Sequence, residues 1–197
     1  NSLSDVASMV LGPGDIVELR RRGAAHPYTL TAALLVTSNN VTFRSAPGAA
    51  TDLAVVDGEG SSPCLVLDGA SDVTVENVRF QNCRANRGGG IYVKGGSKRA
   101  LFEGCEFVGN EAIYYGGATY VKDSSSASFV SCEFRNNRAV YTGGAASVLI
   151  DSSASFSGCN MTNNSAGTYG GVAEVNQYST ASFSDCSMTS NSAADGG

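Results

Sequence analysis

Hydrophobic and polar residues alternate along most of this chain in short stretches separated by bends. Ala127 and Phe129 alternate with serines, and after Ser131 the alternation shifts by one residue, so that Cys132 and Phe134 continue it. Alternation with a period of two is typical of a strand with one buried face, and a one-residue shift indicates a bend between two strands. No helical periodicity intervenes, so the pattern predicts short strands joined by corners.

A repeat of about 27 residues organises these strands, and it is long enough to form one turn of a solenoid. The repeated cysteines are Cys105, Cys132, Cys159 and Cys186, and the repeated glycine pairs are Gly89 and Gly90, Gly116 and Gly117, Gly143 and Gly144, and Gly170 and Gly171. A fifth pair, Gly196 and Gly197, arrives one residue early. Two residue types that keep one period over four copies indicate a solenoid of stacked rungs. A third apolar stretch follows each glycine pair, which gives three short strands per rung.

Residues separated by one repeat form columns, and these columns predict the interior. The apolar columns are Val73, Ala100, Ala127, Ala154 and Ala181; Val75, Phe102, Phe129, Phe156 and Phe183; Val78 and the four cysteines; and Phe80, Phe107, Phe134, Met161 and Met188. A polar column of Asn110, Asn137, Asn164 and Asn191 falls at the next bend. We expect equivalent side chains to stack about 4.8 Å apart as internal ladders, with each asparagine bonding its own turn and the amide above. The sequence therefore predicts an all-β, right-handed parallel β-helix.

The sequence does not decide which residues face inward in the strand after each glycine pair. With strict alternation, one choice of inward positions places Lys94 inside and the other choice places Glu174 inside. Each choice therefore buries one charged residue.

Two cysteines lie outside the cysteine column. Cys64 aligns with Ile91, Ala118, Ala145 and Val172, and Cys83 replaces the corner asparagine. One lies early in its rung and the other near its closure, so we expect a Cys64–Cys83 disulfide, with two buried thiols as the alternative. The four stacked cysteines predict a buried thiol ladder rather than a metal site, because no histidine or CxxC spacing accompanies them.

The two ends of the chain differ from the regular rungs. We divide the chain into an N-terminal cap with incomplete first rungs, residues 1–60, and regular rungs over residues 61–197. Leu3, Val6, Met9 and Val10 share one helical face, which predicts a short amphipathic cap helix over residues 3–11. No C-terminal cap follows the last glycine pair, so we expect the native chain to continue beyond it.

Charge and composition exclude several classes of function. The net charge of −5 and the pI near 4.8 argue against nucleic-acid binding. No stretch approaches the roughly 20 apolar residues of a membrane helix, so this segment is not expected to insert into a membrane. Three N-x-S/T sequons, at Asn40, Asn160 and Asn163, favour an extracellular or cell-surface glycoprotein.

The repeat motifs resemble those of a known family. Phe107 with Asn110, and Phe134 with Asn137, match an F-x-x-N motif, and the glycine pairs followed by alanine match G-G-A. This combination is similar to the polymorphic outer-membrane protein repeat, and the entry region resembles pectin-lyase-like β-helices. The departures are Thr119, Ala146, Met161 and Met188, with Cys83 in place of asparagine. The resemblance implies a cell-surface passenger that binds host or neighbouring cells.

Acidic residues do not form a recognisable catalytic group in the aligned columns. Glu106 and Glu133 are stacked carboxylates, for which we weigh a general-acid role against a solvated pair. Glu111 falls between Arg84 and Arg138, which predicts a ladder of ion pairs. His26 lies beside Pro27 with no nucleophile placed to use it. We therefore expect no catalytic residue, no cofactor and no bound metal.

Tyrosines cluster at the corner before the glycine pairs. Tyr114, Tyr115, Tyr141 and Tyr169 either contact a sugar or a partner protein, or pack along the edge of the rungs. These features predict a non-catalytic, structural or adhesive segment of a larger cell-surface or filament-forming protein. Its expected partners are other proteins or cell-surface glycans, together with end-to-end self-assembly. The alternative is a carbohydrate-active lyase or hydrolase whose active site lies outside this segment.

Overall fold

The computed structural model describes residues 11–20, 27–47 and 53–195, and these residues wind into a solenoid of parallel strands. No helix occurs within these three ranges. The predicted cap helix over residues 3–11 lies outside them except for Leu11, and the structure gives it no support. His26 and the last glycine pair also lie outside the described residues.

Four parallel sheets run along the solenoid, and their strands are numbered here in chain order. Sheet 1 contains β1 (Ile16–Leu19), β4 (Thr42–Ser45), β7 (Thr74–Glu76), β11 (Ala100–Glu103), β15 (Ser126–Val130), β19 (Ser153–Ser157) and β23 (Thr180–Ser184). Sheet 2 contains β2 (Tyr28–Thr29), β5 (Ala54–Asp57), β8 (Val78–Gln81), β12 (Glu106–Val108), β16 (Glu133–Arg135), β20 (Asn160–Thr162) and β24 (Ser187–Thr189). Sheet 3 contains β9 (Arg84–Arg87), β13 (Glu111–Tyr115), β17 (Arg138–Ala139), β21 (Ser165–Ala166) and β25 (Ser192–Ala193). Sheet 4 contains β3 (Leu34–Val36), β6 (Leu65–Asp68), β10 (Ile91–Lys94), β14 (Thr119–Val121), β18 (Ala146–Val148) and β22 (Ala173–Val175).

The number of strands per rung differs from the prediction after the second rung. Among the residues that the structure describes, the first two rungs contain three strands each, and every later rung adds a short strand of sheet 3. In β17 only Arg138 and Ala139 pair with the strands on either side. A two-residue strand between two corners shows no alternation, so the pattern of hydrophobic residues gave no sign of it.

Stacked aromatic rings form the centre of the solenoid. The rings of Phe102, Phe129 and Phe156 lie parallel, with centroids 4.9 Å apart at each step. The Phe107 ring meets the Phe129 ring edge-on at 5.9 Å, which joins the ladders of sheets 1 and 2. Each buried ring contributes about 1.5–3 kcal/mol to folding. Phe183 continues the stack at 4.8 Å but is 37% exposed, because no described rung covers it.

The asparagine column forms a continuous hydrogen-bonded ladder at the corner between sheets 2 and 3. The Nδ2 of Asn137 donates to the Oδ1 of Asn164 at 2.9 Å and to the carbonyl of Phe107 at 2.9 Å. The backbone N–H of Asn137 also donates to that Oδ1, at 3.1 Å. Asn110 and Asn164 make the same set of bonds with their own neighbours. This ladder satisfies polar groups that would otherwise be unpaired in a fully buried corner.

The observed stacking of the glycines differs by one residue from the alignment of the repeats in the first regular rung. The positive-φ column is Gly88, Gly116, Gly143 and Gly170, with φ between 61° and 69°, so Gly88 rather than Gly89 is the partner of Gly116. In the same register Cys64 aligns with Gly90, not with Ile91 as predicted. Left-handed backbone at these corners favours glycine, and a Cβ on Gly143 would also collide with the carbonyl of Ala146.

This register settles which residues of sheet 4 face inward. Ile91 and Val93 are buried and pair with Thr119 and Val121, each one position beyond the regular repeat. Lys94 is therefore an outward-facing residue. Glu174 pairs with Ser147 and is also on the outward side, so the two charged residues do not conflict.

Candidate binding surface

Five tyrosine rings form a continuous run on the outside of the corner between sheets 3 and 4. We call this run the tyrosine surface, and it consists of Tyr92, Tyr120, Tyr115, Tyr114 and Tyr141 in that order. Successive ring centroids are 5.2, 5.5, 6.3 and 5.6 Å apart. These distances are typical of interacting aromatic pairs, so the rings support one another as a single apolar platform.

The backbone of the solenoid fixes the position of each ring. Tyr92 and Tyr120 are outward residues of β10 and β14 and pair directly with each other. Tyr115 ends β13 next to Gly116, whose positive φ turns the chain toward sheet 4. Tyr114 and Tyr141 are 41% and 51% exposed, whereas Tyr120 is only 3% exposed beneath its neighbours. The tyrosine surface is therefore buried at Tyr120 and has its exposed edge at Tyr114 and Tyr141.

The residues of the tyrosine surface are not all the same as those of the predicted cluster. Tyr114, Tyr115 and Tyr141 come together as expected, whereas Tyr169 makes no ring contact with them in the described part of the chain. Tyr92 and Tyr120 also belong to the surface, although no pattern in the sequence indicated them. Their separation exceeds the repeat by one position, and the strict alignment of the repeats therefore placed them in different columns.

Cationic side chains lie against these rings. Lys94 and Lys122 place their ammonium groups 5.8 and 6.0 Å from the centre of the Tyr92 ring. The Arg87 guanidinium lies 5.8 Å from the centre of the Tyr114 ring. Burial, together with the neighbouring Tyr92, raises the pKa of Tyr120, so its hydroxyl stays protonated and neutral. The rings therefore present π-faces that are already bordered by positive charge.

A pocket of about 460 Å³ opens beside Tyr92. Its lining includes the apolar residues Pro63 and Ile113 and the two arginines Arg84 and Arg87. Arg84 pairs with Glu111 at 3.3 Å. Arg87 forms no ion pair within the described residues.

The disulfide expected between Cys64 and Cys83 is present beside this pocket. It joins Cα atoms 5.6 Å apart, and the two cysteines are the immediate neighbours of Pro63 and Arg84. Cys83 occupies the place of the corner asparagine, and its backbone N–H donates to the Oδ1 of Asn110 at 3.0 Å. The bond thus replaces one asparagine of the ladder with a covalent link between the two pocket walls.

The four remaining cysteines are free thiols, as the ladder interpretation expected. Cys105, Cys132 and Cys159 are buried, and Cys186 is partly exposed on the last described rung. The Cys132 thiol donates to the carbonyl of Phe102 at 3.4 Å. Its hydrogen bond with Cys105 and its burial raise the pKa of Cys132, which keeps the thiol protonated. No group of three or more histidine, cysteine, aspartate or glutamate residues suited to a metal occurs in the described ranges.

The stacked carboxylates are held in ion pairs. Glu106 accepts from Arg79 at 2.7 Å and lies 3.8 Å from Arg135, which also contacts Glu133 at 3.1 Å. These arginines offset the repulsion between Glu106 and Glu133, which occupy paired positions of β12 and β16. The two carboxylates and the two arginines thus form one network of ion pairs across neighbouring rungs.

Glu111 lies between two arginines, as the column alignment predicted. Its carboxylate is 3.3 Å from Arg84 and 3.7 Å from Arg138.

The three sequons lie at exposed positions. Asn40 and Asn163 occupy turns with φ of 58° and 55°. Asn160 lies in β20, where its Oδ1 accepts from the Thr162 hydroxyl at 3.0 Å. Glycosylation at these asparagines stays a prediction.

The rungs and ladders define a parallel β-helix. Residues 31–196 match the family model of the right handed beta helix region, and the chain therefore belongs to that family. The handedness predicted from the repeat agrees with this family. Comparisons with curated proteins and with solved structures find no match. No helix long and apolar enough to cross a membrane is found among the described residues.

Proposed function

We propose that this chain is a non-catalytic, extracellular structural or adhesive β-helix segment of a larger surface protein. Its role is to hold the tyrosine surface rigidly for contact with a protein or a glycan on another surface. The observation that carries the proposal is the exposure of Tyr114 and Tyr141, at 41% and 51%, where the Thr142 backbone N–H donates to the Tyr114 carbonyl at 3.0 Å and holds the two rungs in register.

The energetics of binding favour such a platform. Tyrosine supplies a large contact area with little conformational entropy to lose, and these rings are already ordered by their neighbours. The backbone beneath them is fixed because Tyr115 pairs with Thr142 in the rung above. A preorganised aromatic patch of this kind is typical of contact surfaces rather than of ordinary solvent-facing strands.

Binding to glycans and cells tests this role directly. The variant Tyr114→Ala/Tyr141→Ala removes the exposed edge of the tyrosine surface. Its matched control is Ser128→Ala/Ser155→Ala, which alters two outward residues of sheet 1 on stacked strands. We expect the tyrosine variant to lose at least about tenfold in affinity for an immobilised glycan panel or for intact cells, and the control to bind as the wild type does.

Equal binding by the tyrosine variant and the control contradicts the proposed role. Release of unsaturated or reducing ends from pectate- or alginate-type polymers by the full-length protein favours the carbohydrate-active alternative instead. End-to-end self-assembly stays a prediction, and sedimentation velocity over a range of protein concentrations tests it.

A further inference from the structure

Two exposed tyrosines of the tyrosine surface lie one above the other on neighbouring rungs. The ring centroids of Tyr114 and Tyr141 are 5.6 Å apart, and the ring planes are tilted by 32°. The Thr142 N–H donates to the Tyr114 carbonyl at 3.0 Å, and the Thr168 N–H donates to the Tyr141 carbonyl at 2.8 Å. Because these backbone bonds fix both residues, the two phenol rings are held next to each other at the surface.

The other three ring pairs of the tyrosine surface each contain a covered ring. Tyr120 is 3% exposed and takes part in the pairs with Tyr92 and with Tyr115. Burial also raises the pKa of Tyr120, so its phenolic proton is hard to remove. The pair of Tyr114 and Tyr115 has the longest centroid distance of the run, 6.3 Å, and Tyr115 is partly buried. Among the described residues, only Tyr114 and Tyr141 form a ring pair with both members exposed.

Adjacent exposed phenols are joined covalently by one-electron oxidation. An oxidant removes one electron and one proton from each phenol, which gives two phenoxyl radicals. The radicals form a carbon–carbon bond between their Cε atoms, each of which then loses its hydrogen as a proton while each phenolic oxygen regains one. The product, dityrosine, has lost two hydrogen atoms in total. Hydrogen peroxide takes up these two electrons and two protons, its O–O bond breaks, and two molecules of water form.

The fixed geometry favours coupling within one chain. Groups that are already held next to each other react without a collision between molecules, and their effective concentration exceeds that of any protein solution. Coupling requires the rings to turn edge to edge, and exposed fractions of 41% for Tyr114 and 51% for Tyr141 leave room for that rotation. Tyr178 is 95% exposed but contacts no other ring among the described residues, so it couples only between chains.

The other oxidisable side chains give products that are distinguishable from dityrosine. The Cys64–Cys83 pair is already a disulfide, and three of the four free thiols are buried. Cys186 is partly exposed, but a disulfide formed through it is cleaved by a thiol reductant, whereas the carbon–carbon bond of dityrosine is not. Oxidation of the exposed Met188 adds an oxygen atom and removes no hydrogen.

From these observations we propose that Tyr114 and Tyr141 are a modification site, at which hydrogen peroxide used by a haem peroxidase forms a dityrosine bond within the chain. The bond ties the rung of β13 to the rung of β17 through side chains. It lies beside a corner at which β17 supplies a strand of only two residues. This inference goes beyond the proposed function, because it concerns the chemistry of the two phenols and needs no binding partner.

Peptide mapping after treatment with a haem peroxidase and hydrogen peroxide tests the proposal. Trypsin places Tyr114 in the peptide 100–122 and Tyr141 in the peptide 139–197. In the reduced monomer fraction we expect these two peptides to be joined, with a mass two hydrogen atoms below their sum and fragments that locate the bond at the two tyrosines. About tenfold dilution of the protein should leave the yield per chain unchanged. Absence of this link, or an equal yield of links through other tyrosines, overturns the proposal.

Conservative substitutions separate the chemistry of the phenol from the packing of the ring. Tyr141→Phe keeps the ring and removes the hydroxyl, and we expect the joined peptides to be lost. Tyr178→Phe is the matched control, because it removes a phenol that is more exposed but lies outside the tyrosine surface, and we expect it to leave the yield unchanged. Persistence of the link in Tyr141→Phe, or an equal loss in both variants, overturns the assignment of this pair.

The two proposals fail in different experiments. Cell binding that is lost in Tyr114→Ala/Tyr141→Ala, combined with no dityrosine in the treated wild type, overturns the cross-link alone. Dityrosine between Tyr114 and Tyr141, combined with cell binding that is insensitive to their replacement by alanine, overturns the proposed function alone.

Discussion

The backbone of Arg87 pairs with that of Tyr115, whereas Ala85 in the same strand pairs with Ala112. The sequence separation between paired residues therefore increases by one position within β9. The corner after Ala85 is therefore one residue shorter than the corresponding corner of the next rung, and this difference changes the register between the two rungs. The change moves Tyr92 beneath Tyr120 and brings both rings into the tyrosine surface. The short corner of the β9 rung thus assembles the surface that the proposed function uses.

The disulfide is expected to supply a measurable share of the stability. It closes a loop with a sequence separation of 19 residues, and the loss of that constraint costs about 3 kcal/mol in the chain-entropy model. We expect Cys64→Ala/Cys83→Ala to lower the free energy of unfolding in urea by about that amount. A thiol reductant should lower the unfolding midpoint of the wild type toward that of the variant. A reductant that destabilises both proteins equally contradicts this account.

The asparagine ladder gives a second prediction. Asn137→Ala removes the acceptor for two donors of Asn110 and leaves the carbonyl of Phe107 without its Nδ2 donor. Because these groups are buried, we expect a loss of about 2–3 kcal/mol in the free energy of unfolding. The control is Asn160→Ala on the exposed side of β20, for which we expect a change within about 0.5 kcal/mol. Similar losses in the two variants contradict the role assigned to the ladder.

Thr119 offers a stabilising substitution. Its side-chain hydroxyl oxygen is buried and makes no hydrogen bond in the described structure, because the residue faces inward in the same column as Ile91 and Ala146. Replacement by valine keeps the shape and removes the unpaired polar group, so we expect Thr119→Val to raise the free energy of unfolding by about 1–2 kcal/mol.

Thr142 provides the matched comparison for that substitution. Its hydroxyl donates to the carboxylate of Glu174. Thr142→Val removes this bond, and we expect it to lower the free energy of unfolding. The same sign of change for both threonines in urea denaturation contradicts the prediction for Thr119.

The thiol ladder predicts a dependence of stability on alkaline pH. Hydrogen bonding between neighbouring thiols, together with burial, raises the pKa of Cys132 and Cys159 in the folded protein. Unfolded thiols ionise near pH 8.5, so their contribution to stability is complete below that pH. Above it the unfolded chain releases protons first, and the free energy of unfolding falls as the pH rises toward the folded pKa values.

Urea midpoints measured at pH 7, 9 and 10 test this dependence. We expect the decline to be smaller in a Cys132→Ala/Cys159→Ala variant than in the wild type. An identical decline in both proteins assigns it to other groups. Alkylation by iodoacetamide offers a second readout, because the buried thiols should react only after unfolding.

The columns of identical residues made much of the fold predictable. Phe102, Phe129 and Phe156 were assigned to one internal stack because in-register strands place equivalent residues directly over one another. The asparagine corner followed from the same spacing, since a buried amide in a stack finds its partner in the next copy. The short strand Arg138–Ala139 escaped detection because two residues carry no periodicity.

The sequence alone determined the period, the interior ladders and the corner residues, because these depend on local alternation and on repetition at a fixed interval. The tertiary structure decided the register around Gly88, Gly89 and Gly90, where three adjacent glycines allow two alignments and only the packing of neighbouring rungs selects one. It also decided that Tyr92 and Tyr120 join the tyrosine surface and that Arg87 faces the pocket. These outcomes depend on which backbone lies above which, and that relationship is fixed by contacts between rungs rather than by the residues of any one rung.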